Sequence, residues 1–84
     1  MKIIFSSQAW DDYLYWQKTD RSLLKRINSL IEDIRRSPYK GKGKPEPLRY
    51  ALSSYWSRRI NEEHRLVYRM EEGALLLAQL RYHY

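Results

Sequence analysis

Three places in this chain carry side chains able to do chemistry. The first is Pro45-Glu46-Pro47. Two prolines stiffen the backbone around the carboxylate, which suits a positioned catalytic base. The alternative is a surface glutamate in a stiff loop. The second is the terminal Arg81-Tyr82-His83-Tyr84. Histidine is the side chain that most readily gives or takes a proton near neutral pH. The alternative is an exposed terminal histidine between two aromatics, since chain ends tend to fray. The third is a set of arginines on predicted strands: Arg49, Arg58, Arg59, Arg65, Arg69 and Arg81. A guanidinium binds phosphate through a planar, permanently charged fork. Interleaved tyrosines could stack bases. The alternative is a solvated basic face.

Together these groups suit metal-independent cleavage of RNA by its own 2′-hydroxyl. That reaction needs a base for the 2′ proton, an acid for the leaving 5′ oxygen and a cation for the charged phosphorane. Glu46, His83 and Arg65 are the three candidates. A carboxylate of ordinary pKa, roughly 4.3, is ionised at neutral pH but weakly basic, so positioning must supply much of the rate. Other constellations fail. His64 and His83 are the only histidines and cysteine is absent, which argues against a structural zinc site. Gly41-Lys42-Gly43-Lys44 lacks the strand-loop-helix setting of a phosphate loop. No serine sits in a nucleophile elbow. No metal and no cofactor are expected.

The elements that must position these residues are partly readable. Lys2 to Phe5 reads as a strand. Ser6 or Ser7 is a helix cap, with Asp11 and Asp12 early in the helix where the macrodipole favours them. Trp10, Tyr13, Leu14 and Gln17 follow helical spacing. The aromatics of this helix read as core or interface. Thr19-Asp20 breaks and recaps the chain. Leu23, Leu24, Ile27, Leu30, Ile31 and Ile34 then mark one buried face of a second helix. Arg35 and Arg36 lie in its last turn and Ser37-Pro38 ends it. Residues 38–47 hold all three prolines and form a loop. Leu48 to Leu52, Tyr55 to Asn61, His64 to Met70 and Ala74 to Tyr82 read as strands joined by short turns, hence antiparallel. Alternation puts Leu66, Tyr68 and Met70 on the core face, with Arg65, Val67 and Arg69 opposite. The predicted fold is α+β, two helices on one face of a twisted antiparallel sheet.

With 84 residues, one domain spanning 1–84 is expected. The 16 Lys+Arg exceed the 10 Asp+Glu, a formal charge of +6, so an anionic partner is expected. No apolar run approaches the roughly 20 residues of a membrane span. After Lys2 only Ile3, Ile4 and Phe5 are apolar, too few for a signal-peptide core. With no cysteine, a cytoplasmic setting is expected.

Longer segments carry a resemblance over essentially the whole chain. They are Trp10-Asp11-Asp12-Tyr13-Leu14-Tyr15-Trp16, Gly41-Lys42-Gly43-Lys44-Pro45-Glu46-Pro47-Leu48, Trp56-Ser57-Arg58-Arg59-Ile60, Glu63-His64-Arg65-Leu66-Val67-Tyr68 and the terminal tetrapeptide. In this order they resemble the YoeB toxins of bacterial toxin–antitoxin systems, within the RelE-like ribonuclease superfamily. The resemblance implies an mRNA interferase that cuts messenger in the ribosomal A site and stops translation. It implies Glu46 as base, His83 as acid, Arg65 on the phosphate and Tyr84 holding substrate; Lys44, Arg49 and Arg59 are expected as further RNA contacts. It implies a YefM-like antitoxin, promoter DNA bound only through the antitoxin complex, and a capacity to dimerise. One position departs: the family commonly has lysine where this chain has Arg49. Arginine keeps the charge but cannot serve as a neutral amine. The competing reading is a ParE-like toxin that shares the architecture and acts by binding gyrase. Retention of Glu46, Arg65 and His83 argues against it.

Overall fold

The structure, a computed structural model, describes residues 1–83. Tyr84, expected to hold substrate, lies outside the described residues. The elements are β1 (Lys2–Phe5), α1 (Ser7–Thr19), α2 (Arg21–Arg36), β2 (Glu46–Pro47), a 3-10 turn (Tyr50–Leu52), β3 (Trp56–Arg59), β4 (Arg65–Glu71) and β5 (Ala74–Gln79). The architecture is α+β, as the order of helices then strands implies. None of the described helices is long and apolar enough to cross a membrane.

Local signals explain both helices. Ser6 caps α1 by accepting from the Ala9 amide at 3.0 Å. The Asp20 carboxylate caps α2 by accepting from the Leu23 amide at 3.1 Å, while its own amide closes α1 on the Trp16 carbonyl. Ile27, Leu30, Ile31 and Ile34 are buried along α2, against Ala9 and Trp16 of α1 and Leu66, Tyr68, Leu75 and Leu77 of the sheet. Met70 packs at the edge of this core, so the expected inward set is correct.

Three expectations need correction. The sheet order is β1-β5-β4-β3-β2, and β1 runs parallel to β5 while the other neighbours are antiparallel. The sheet is therefore mixed. After the two helices the chain re-enters the sheet at the far edge as β2, and the antiparallel run from β2 to β5 ends beside β1; no tight turn joins β1 to β5, so the two are free to run parallel. The strand expected at Leu48 to Leu52 is absent. Pairing with β3 occurs two residues earlier, at Glu46–Pro47, and Tyr50 at φ +58° turns the chain into a 3-10 turn. Asp11 and Asp12 lie beyond the first turn of α1, and Asp12 is buried.

Arg58 corrects a fourth. Its place in β3 opposite Leu66 turns it toward the helices rather than toward solvent, and it is completely buried. Each of its five N–H groups has an acceptor. Nε donates to the Tyr68 hydroxyl at 3.3 Å. Nη1 donates to Asp33 at 2.6 Å and to the Lys42 carbonyl at 3.1 Å. Nη2 donates to the Ser37 and Lys40 carbonyls at 2.6 and 3.0 Å. Asp33 also accepts from the Lys42 amide at 2.9 Å, and the Tyr68 hydroxyl donates to the Pro38 carbonyl. The loop from Ser37 to Lys42 is thus wrapped around one cation. Gly41 is required there: at φ +120°, a Cβ would lie 2.2 Å from the Asp33 carboxylate.

Removing one member of a buried ion pair strands its partners, at a cost of about 3–5 kcal/mol. Arg58→Met is expected to lose that much in urea unfolding; a loss under about 1 kcal/mol, typical of an exposed pair, would contradict the assignment. Asp33 gives a second test. The Lys42 amide, then the Arg58 fork, hold its carboxyl below the usual carboxylate range. The native state therefore binds that proton less tightly than the unfolded chain. The resulting stability is present above the ordinary carboxylate pKa of about 4 and is lost as pH falls through the lower native value. The stability gap between wild type and Asp33→Asn should accordingly close as pH drops below about 4, and a constant gap would contradict it.

Candidate active site

The sheet face opposite the helices carries the candidate chemistry. Register makes a row across it: Glu46 pairs with Ser57, Ser57 with Val67 and Val67 with Gln79. Partners in register project to the same side, so Glu46 and Gln79 stand on one face, three inter-strand steps or about 14 Å apart at the backbone. Arg59 pairs with Arg65 two residues along, on that same face. The glutamate at one edge and two guanidiniums beside it come from register alone.

Each group is held by its surroundings. Glu46 enters from the loop that Arg58 pins, and the Arg59 amide donates to the Gly43 carbonyl at 2.7 Å just before it. Glu46 is exposed, as are Lys44, Arg49 and Arg59. An open cleft of about 640 Å³ beside Glu46 is lined by Pro47, Leu48, Arg49, Tyr50 and Leu52. Arg65 is half-buried. Its Nη1 donates to the carbonyls of Asn61 at 2.8 Å and His64 at 3.1 Å, which aim the guanidinium. Arg69 is occupied by Glu71 and by the Tyr55 ring, 5.1 Å from its centroid. It is not placed with Arg59 and Arg65 as a phosphate group.

The tail after β5 is gripped twice. α1 holds both backbone groups of Leu80: Asp12 accepts its N–H at 3.0 Å and the Trp16 indole donates to its carbonyl at 2.8 Å. Burial raises the Asp12 pKa, opposed by the Leu80 amide and by Arg81. The Arg81 guanidinium lies between aromatic rings, 3.6 Å from the Tyr15 centroid and 4.6 Å from that of Tyr82. Tyr82 then turns the chain at φ +64°. Its N–H donates to His64 Nδ1 at 2.8 Å and its carbonyl accepts the Arg65 amide at 3.0 Å. Finally Gln79, at the end of the row, donates to the His83 carbonyl at 2.9 Å. His83 is thereby drawn back toward the face that carries Glu46, and its side chain is exposed.

The sequence assigns no tail contact to Asp12, Trp16 or Gln79, and it groups Arg58 with the surface cations instead of with the loop it holds. Strand alternation could have flagged Arg58, which sits opposite the inward Leu66; along β5 it would group Gln79 with the inward Leu75 and Leu77, and the register shift at Val67/Tyr68 is what sets Gln79 beside the outward Val67. Nothing local marks Asp12 or Trp16, because their partner lies more than sixty residues away.

The family model for the YoeB-like toxin of bacterial type II toxin–antitoxin systems matches residues 5–84. The chain belongs to that family. Toxin YoeB of Escherichia coli K12 is 62% identical over 84 residues, covering all of both chains. The YoeB/ParE toxin structure from Agrobacterium tumefaciens superimposes with a TM-score of 0.96 at 48% identity, again over both full chains. YoeB of Staphylococcus aureus, solved in complex with YefM, gives a TM-score of 0.92 at 45% identity over 100% of this chain and 98% of that one. A YoeB dimer from Staphylococcus aureus gives 0.94 at 46% identity, with the same coverage.

Asp12→Leu is expected to leave the Leu80 amide buried and unpaired, at a cost of about 1–3 kcal/mol. Hydrogen exchange at Leu80 should then accelerate well beyond the change at Leu75. Unchanged exchange at Leu80 would contradict the clamp.

Proposed function

We propose that this toxin is a ribosome-dependent endoribonuclease, a single domain over residues 1–84, that cuts messenger RNA in the A site and stops translation. Glu46 takes the proton from a 2′-hydroxyl. The freed oxygen attacks the adjacent phosphorus, the bond to the 5′ oxygen breaks, and His83 protonates that oxygen. The products are a 2′,3′-cyclic phosphate and a 5′-hydroxyl, and no metal or cofactor takes part. Arg65 neutralises the phosphorane. Tyr84 holds the substrate, while Lys44, Arg49 and Arg59 bind flanking phosphates.

The observation that carries this reading is the shared face. Glu46, Arg59 and Arg65 stand on one side of the sheet, and Gln79 on that side binds the His83 carbonyl. Acid and base thus enter from opposite edges with cations between them. The partner in the cell is a YefM-like antitoxin, as in the Staphylococcus aureus complex. A disordered acidic segment folding onto this arginine- and tyrosine-rich face would occlude the site. Promoter DNA is bound only through that complex. The toxin also dimerises, as its Staphylococcus aureus relative does, and works in the cytoplasm.

The test is a purified translation system with messenger ends mapped by primer extension. Wild type should give discrete A-site cuts. Glu46→Ala and His83→Ala should each slow them by about 10²–10⁴-fold. Arg49→Lys should keep most activity, because a cation suffices there. A messenger with 2′-deoxyribose at the cut nucleotide should resist cleavage. Growth arrest without cuts from any protein would overturn the reading in favour of a gyrase-type binding toxin.

A further inference from the structure

His64 is a buried imidazole with no role in the chemistry above. It is 7% exposed. Its backbone is locked: its amide donates to the Asn61 side chain at 2.8 Å, and its carbonyl accepts from Ile60 and from Arg65. Its ring stands edge-on to Trp16 at 4.8 Å between centroids, and Tyr82 lies 5.8 Å away on the other side. Nδ1 accepts the Tyr82 N–H at 2.8 Å. An accepting Nδ1 carries no proton, so the imidazole is neutral with hydrogen on Nε2.

Tyr82 is a non-glycine residue at φ +64°. Such a conformation costs on the order of 1–3 kcal/mol and persists only where its surroundings over-determine it. Here two adjacent residues do so, His64 on the N–H and Arg65 on the carbonyl. We infer that His64 is a positioning residue for the proposed cleavage: its neutral Nδ1 holds the Tyr82 turn that delivers His83 to the open face. The kinetic part of this inference rests on the cleavage reading; the structural part does not.

Beyond the ring, Glu63 Oε1 lies 3.8 Å from Nε2, the nitrogen on the side away from Tyr82.

The experiment combines NMR with kinetics. In wild type at neutral pH, the His64 nitrogens should show a bare Nδ1 and a protonated Nε2, and the Tyr82 amide should exchange slowly. His64→Phe keeps the ring against Trp16 but removes the acceptor. Tyr82 should lose its protection and kcat should fall about 10- to 100-fold with little change in KM. His64→Asn places a carboxamide oxygen near the Nδ1 position. It should restore Tyr82 protection and most of kcat. A proton on Nδ1 in wild type, or a Tyr82 amide equally protected in His64→Phe, would overturn the inference. Should His64→Phe fail to fold, the wild-type nitrogens and His64→Asn still decide. If wild type cuts no RNA, the cleavage reading fails, while the exchange measurements still test the clamp.

Discussion

Arg58 spends its whole hydrogen-bonding capacity inside the protein, on Asp33, the Tyr68 hydroxyl and three loop carbonyls. A guanidinium taken out of water is tolerated only when every donor is matched. That requirement dictates the course of the chain from Ser37 to Lys42. The segment has no regular secondary structure of its own and would otherwise be costly to order. Wrapped on Arg58, it delivers Pro45-Glu46-Pro47 to the edge of β3. The register that follows sets Glu46 against Ser57 and fixes the face it occupies. A residue whose type points to phosphate binding thus serves by holding the loop that leads to Glu46.

The opposite edge obeys a related rule. The segment from Leu80 to His83 has left the ladder, so its peptide groups need partners elsewhere. Asp12 and Trp16 satisfy Leu80; His64 and Arg65 satisfy Tyr82. Helix α1 is therefore more than a cover for the sheet. It reaches past the core to hold the tail, which explains why an aspartate and an indole are buried there. The two candidate reacting groups sit on separate clamps, and the sheet between them carries the cations.

The sequence is legible where the physics is local. Periodicity alone locates α2, Ser6 and Asp20 announce the caps, and alternation in β4 separates Leu66 and Tyr68 from Arg65 and Val67. It is illegible where the deciding partner is distant. The parallel pairing of β1 with β5 joins the two ends of the chain. Arg58 reads as a surface cation until Asp33 and the loop carbonyls are in place. The positive φ of Tyr50, which ends the pairing after Pro47, has no local signature of the kind glycine provides. The candidate site was readable as residue types, since Glu46, Arg65 and His83 suit the reaction. The grip of Asp12 and Trp16 on Leu80, and of His64 on Tyr82, was not.

The central claim is that both halves of the candidate site are ordered in the isolated protein, before any partner arrives. Backbone ¹⁵N relaxation of the free chain tests it most directly, at the amides of Glu46, Tyr82 and His83. The account predicts order parameters close to the rigid value of about 0.85 at all three. Values below about 0.6 at Glu46, or at Tyr82 and His83, would contradict it, because the clamp on that side would not be holding.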